Sequence, residues 1–135
     1  MCLSDNVNCP MLKRSLMALC LLLGTAAAPL HAQTGAAPFD NDLQRLSEIL
    51  GALHYLRAIC GSNEGQKWRN EMQALVDAEA PTGDRRDRMI ASFNRGYRGF
   101  QQTYRSCTPA ADFAIRRYLD EGSKIACEIT ARYGN

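Results

Sequence analysis

Four sets of side chains in this sequence have types and spacing that could do chemistry. They are one of its two histidines (His54), two acids on one predicted helix (Glu71 and Glu79), a run of arginines between Asp84 and Cys107, and the cysteines. An acid–base reaction at neutral pH needs a titratable pair, and here that would be Glu71 or Glu79 with His54 as auxiliary. Such a set would suit a cell-wall-acting enzyme. The spacing argues against it. Eight residues of helix separate the two acids by roughly 12 Å at about 1.5 Å per residue, beyond the ~5–9.5 Å that divides glycosidase carboxylate pairs. His54 borders a leucine stripe and reads as a partly buried histidine satisfied by a neighbour. No His pair suits zinc, no Cys-x-x-Cys-His run could hold haem, and no glycine-rich loop follows a strand. Neither a metal nor a cofactor is therefore expected.

The arginines carry the stronger hint. Asp84 to Cys107 holds Arg85, Arg86, Arg88, Arg95, Arg98 and Arg105 against only two acids. On a helical wheel Arg88, Arg95, Arg98, Gln102 and Arg105 share the side opposite the Phe93–Phe100 stripe. Guanidinium groups bind carboxylate and phosphate bidentately, so this row could hold an anionic polymer or the acidic patch of a partner. A solvated helix face, balanced by acids on the earlier helices, is the plainer reading. Tyr55, Trp68 and Tyr97 complete the candidate surface. Arg57 differs, because the wheel places it between Leu50 and Leu53, on the inward face. A buried guanidinium requires a carboxylate. Glu71 is the expected partner, Glu64 the substitute, and a ligand's carboxylate or phosphate the remaining option.

The elements that must position these groups are helical. Leu, Ala, Arg, Glu, Gln and Met dominate beyond residue 32, and Val76 is the one valine there. The first helix follows Pro38, is capped by Asp40 or Asn41, carries Leu43, Leu46, Ile49, Leu50, Leu53 and Leu56, and stops at Cys60-Gly61. The second is capped by Ser62 or Asn63, with Asn63 and Gln66 as a capping box. It buries Trp68, Met72, Leu75 and Val76 and ends before Pro81. The third opens at Thr82 or Asp84, with Met89, Phe93, Gly96, Phe100 and Tyr104 inward. Gly96 and Gly99 cost helix stability and so should admit a close neighbour. The fourth has Thr108 as cap, Pro109 at the first position, and a stripe of Ile115, Leu119, Gly122, Ala126, Ile129 and Tyr133. Short connections make sequential helices antiparallel neighbours. The expected fold is all-α: one small antiparallel up-down-up-down bundle of about four helices with one disulfide.

Composition agrees with a single domain: 135 residues, 46% hydrophobic, with a formal net charge of +2 too small to point to nucleic acid. Residues 1–10 lack a pattern and read as a non-native start extension. Lys13-Arg14, the apolar run Leu16–Leu23 and the small residues ending at His31-Ala32 form a signal peptide over 11–32. Residues 33–39 are a linker and 40–135 the helical domain. No later stretch is apolar enough to span a membrane, so the expected location is the periplasm. Cleavage after Ala32 leaves Cys60, Cys107 and Cys127. Cys60 and Cys107 end the first and third helices, at one pole of an up-down bundle. Cys127 lies about five turns into the fourth helix, roughly 27 Å from its start at about 1.5 Å per residue. Cys60–Cys107 is therefore the expected disulfide, Cys107–Cys127 the alternative, and Cys127 the expected leftover thiol.

Several blocks together resemble a known family. These are Leu53-His54-Tyr55-Leu56-Arg57 with Cys60, Trp68-Arg69, Phe93-Asn94-Arg95-Gly96-Tyr97-Arg98-Gly99-Phe100, and Thr103-Tyr104-Arg105-Ser106-Cys107-Thr108-Pro109-Ala110-Ala111. They resemble a small exported alphaproteobacterial family of unknown function over about residues 40–135. The resemblance implies an export signal and a pair like Cys60/Cys107, and it supplies no activity. The expected function is a non-catalytic periplasmic binding protein, its partner an envelope protein or anionic envelope polymer. A cell-wall-acting enzyme using Glu71 or Glu79 with His54 is the alternative.

Overall fold

The computed structural model describes residues 37–80 and 82–134. The expected start extension, the signal peptide and residues 33–36 of the linker lie outside the described residues, as does Pro81. Four helices follow in order: α1 (Asp40–Ile59), α2 (Lys67–Glu79), α3 (Asp84–Thr103) and α4 (Pro109–Tyr133). Among the described residues there is no strand. The all-α class and the Cys60–Cys107 disulfide, with Cα atoms 4.7 Å apart, agree with the reading of the sequence. Closing a loop with a sequence separation of 47 corresponds to roughly 4 kcal/mol in the chain-entropy picture.

Contacts near both ends of α1 fix the helix directions. Asp40 meets Arg85 at the start of α3, and Cys60 is bonded to Cys107 just past its end. α1 and α3 therefore run parallel. Phe39 packs on Tyr133, Arg45 pairs with Glu121 at 2.7 Å, and Leu56 shares a core with Ala111 and Ile115, so α4 runs antiparallel to α1. Leu43 lies with Val76 and Ala80, and Arg57 pairs with Glu64, so α2 also opposes α1. The up-down-up-down order stands.

The neighbours differ from the simple expectation. α1 packs against all three other helices, whereas the backbones of α3 and α4 do not approach one another. These two meet through rings, with Phe100 and Tyr118 edge-on at 5.5 Å. The closest helix pair is α1 with α3, and glycine is the reason. A Cβ on Gly51 would overlap the Phe93 carbonyl, and one on Gly96 would overlap the Glu48 carbonyl. Helices cross this closely only where no side chain intervenes.

A helix covered on three sides must be apolar around most of its circumference. α1 buries Leu43, Ser47, Ile49, Leu50, Gly51, Ala52, Leu53 and Leu56. It feeds two clusters. Leu43 and Leu50 join Met72, Val76, Ala80 and Met89 on one side. Ile49, Leu53 and Leu56 join Ala111 and Ile115 on the other. Ser47 is tolerated inside because its hydroxyl donates to the Leu43 carbonyl at 2.7 Å.

The helix ends follow local chemistry. At the end of α1, Gly61 has φ +77. Its N–H donates to the Ala58 carbonyl, and the Ser62 N–H donates to that of Arg57, the two bonds of a Schellman ending. Thr108 caps α4 as expected, accepting from the Ala111 N–H at 3.1 Å, with Pro109 in the first turn. α2 starts later than expected, at Lys67, and no side-chain cap bond forms there. The cap residues Ser62 and Asn63 belong instead to the loop, which turns at Gly65 with φ +52.

Three further corrections apply. Gly99 has open space where a Cβ would sit, so it admits no neighbour. Leu119 is 38% exposed, while Tyr118 and Ile125 pack against the core in its place. The backbone of α4 comes close to α1 alone, so its buried face is narrow. Cys127, the expected leftover thiol, is disulfide-bonded.

The glycine crossing generates a direct expectation. Gly51→Ala and Gly96→Ala should each lower the free energy of unfolding by about 3 kcal/mol, because backbone must move to accept the methyl group. Gly99→Ala should instead raise it by up to about 1 kcal/mol through helix propensity alone. Urea denaturation of the three variants checks both signs.

Candidate functional site

The α1–α2 turn brings Arg57, Glu64 and Trp68 together. The Schellman ending and the turn at Gly65 fold the loop back over the last turn of α1. Glu64 then receives both guanidinium donors of Arg57 at 2.7 Å and the indole N–H of Trp68 at 2.8 Å. The substitute partner thus replaces Glu71, which lies one turn further into α2 on its exposed side. Hydrogen bonding to Arg57, reinforced by Trp68, holds the Glu64 carboxyl at about 2, well below its ordinary value. Trp68 has its polar atom committed here and packs its ring against both core clusters, with Lys67 over the ring at 5.0 Å. Its polar atom is thus engaged in the turn and its ring is partly buried.

The arginine row is divided by its partners. Arg88 lies 3.8 Å from Asp40, which also pairs with Arg85 at 2.7 Å. Arg95 pairs with Glu48 at 2.9 Å. These contacts stitch the exposed flank of α3 to α1. Arg105 does not extend the row, because α3 ends at Thr103 and Tyr104 is extended. It sits instead in the connection beside Cys107. Arg98 and Arg105 are exposed, and neither has an acidic partner among the described residues.

Tyr55 donates its hydroxyl to the Tyr104 carbonyl and meets Tyr97 edge-on at 5.4 Å. The ring of His54 packs beside Phe93 and Tyr97, at 6.0 and 5.7 Å, and its buried Nδ1 has no hydrogen-bond partner. Burial, helped by the charge of Arg69, lowers the His54 pKa. This histidine is not satisfied by a polar neighbour, contrary to the sequence reading.

Between α2 and α3 lies a cleft of about 260 Å³ lined by Arg69, Met72, Gln73, Val76, Ile90, Phe93 and Asn94. Glu71, Glu79 and His54, which an enzymatic reading needs at one pocket, do not line it. Among the described residues no three His, Cys, Asp or Glu side chains are grouped as a metal would require, and no helix is long and apolar enough to cross a membrane. Arg69, Gln73 and Asn94 were not singled out from the sequence. Each lies on an exposed flank, where helical periodicity carries no signal.

Glu64→Gln should cost about 2 kcal/mol of stability at neutral pH, since charge-assisted bonds to Arg57 are lost. Glu71→Gln should cost less than about 0.5 kcal/mol. A carboxyl with a depressed pKa stabilises the fold fully above its ordinary value of 4.5, and the contribution is lost as pH falls through about 2. The gap between wild type and Glu64→Gln, followed by denaturation across acidic pH, should close over that window.

The family model described as "Protein of unknown function (DUF2385)" matches residues 38–133. No curated protein and no solved structure matched the chain. The match begins just before α1, ends at the last residue of α4 and so takes in the whole described bundle. On that extent the chain belongs to the DUF2385 family, a family of unknown function.

Proposed function

We propose that this chain is a non-catalytic binding protein of the cell envelope, exported to the periplasm by residues 11–32, with Arg98 and Arg105 as its recognition surface. The observation that carries the reading is the unequal fate of the arginines. Arg85, Arg88 and Arg95 face acids of α1, whereas Arg98 and Arg105 present guanidinium groups to solvent at the pole of the Cys60–Cys107 disulfide. Two separated guanidinium groups beside Tyr97 suit point contacts with carboxylates better than they suit a continuous polyanion, which would need an unbroken basic track. An acidic face of an envelope protein is the partner that fits.

Affinity capture from periplasm, with the disulfide intact, provides the check. The double variant R98E/R105E should lose salt-sensitive partners, with at least a tenfold fall in captured protein, as expected when about 1.4 kcal/mol is removed. Charge reversal at the exposed Lys124 should leave capture unchanged. An identical set of partners on wild type and the double variant contradicts the proposal, and capture of polysaccharide in place of protein contradicts the choice of partner.

A further inference from the structure

The α2–α3 cleft is chemically distinct from the Arg98/Arg105 surface. α2 and α3 approach each other only slightly, since each is packed mainly on α1, and the gap between them is lined from both sides. Met72 and Val76 are buried beneath it. Phe93 forms part of one wall, and Ile90 stands at the rim, 36% exposed. Three lining side chains are polar: Arg69, Gln73 and Asn94. The lining thus has an apolar floor, one cation and no acid. Arg69 has no carboxylate partner among the described residues, although several other arginines of this molecule do.

We propose that this cleft is a binding site for a small amphipathic monocarboxylate. The Arg69 guanidinium takes the carboxylate, the amide of Asn94 donates to it from the rim, and the tail lies over Met72, Val76, Ile90 and Phe93; the Gln73 amide is held by Asp77 at 2.7 Å. Three features of the lining select this class. One unpaired guanidinium matches one negative charge, whereas a phosphate monoester would bring up to about two. An apolar floor with few polar groups at one end is the usual form of a small-molecule pocket. The size, about 260 Å³, falls just below the roughly 300–1,000 Å³ of drug-sized sites, which limits the ligand to a short acid.

Octanoate is a suitable probe, with octanol as its uncharged counterpart, each titrated into the full chain by NMR. The expected result is saturable binding of octanoate that shifts the Met72 and Ile90 methyl signals, with octanol at least tenfold weaker. Arg69→Gln should weaken octanoate at least tenfold and leave octanol unchanged. Arg69 is exposed, so this variant should fold, and Ile90→Asp should weaken both probes. His54 supplies an independent readout. A bound anion offsets the Arg69 charge beside it, so octanoate should raise the His54 titration midpoint in wild type and not in Arg69→Gln. Equal affinity for octanoate and octanol, undiminished octanoate binding by Arg69→Gln, or the absence of saturable shifts at Met72 and Ile90 would each overturn the proposal. R98E/R105E should bind octanoate normally, which separates this site from the partner surface.

Discussion

At Gly51 and Gly96 the backbones of α1 and α3 lie against each other with no side chain between them. Most other features of the fold follow from that crossing. In a square four-helix bundle the first and third helices would lie on a diagonal, separated by a shared core. Here they touch, so the apolar interior is split into two clusters, one on either side of α1. α2 closes the first and α4 the second. The crossing is held near both ends, by Asp40 with Arg85 and by the Cys60–Cys107 bond. Arg95 with Glu48 lies over its middle. The open Arg95–Glu48 pair contributes modestly, about 0–1 kcal/mol, whereas Asp40 is buried and depends on its arginine; burial around α1 and the disulfide carry most of the stability.

The same crossing shapes the surface. Drawing α3 onto α1 brings Arg88 and Arg95 within reach of acids on α1 and neutralises that part of the row. Arg98 and Arg105 lie beyond it, toward the disulfide pole, where α1 offers no acid. On the other flank, α3 sits too close to α1 to pack fully against α2, and the cleft at Arg69 is what remains. His54 lies between these regions, its ring against Phe93 and Tyr97 and its charge opposed by burial and by Arg69.

Much of the architecture was legible in the sequence because it is written in local signals. The helices, the ending at Gly61, the cap at Thr108 and the pairing of Cys60 with Cys107 follow from periodicity, capping chemistry and helix polarity. Gly96 was readable as a close approach, because glycine within a helix demands a reason. Its counterpart Gly51 was not, being surrounded by a leucine stripe that already accounted for the segment. Gly99 carried the same signal as Gly96 and proved empty, since propensity cannot say which face a neighbour occupies. The partner of Arg57 depended on where α2 begins, a boundary set by the seven-residue loop after Ile59 and not by any stripe. The division of the arginine row was equally hidden. Its acids, Asp40 and Glu48, lie 47 or so positions away, and only the crossing brings them near.

If α1 is the shared wall of both cores, its central amides can open only when the whole domain does. Native-state hydrogen exchange tests this most directly. The account predicts that the amides of residues 49–56 exchange slowest, at the free energy of global unfolding, with those of α2 and the second half of α4 opening at lower cost. Exchange of these α1 amides through a cheaper, partial opening, while α4 stays protected, would contradict it.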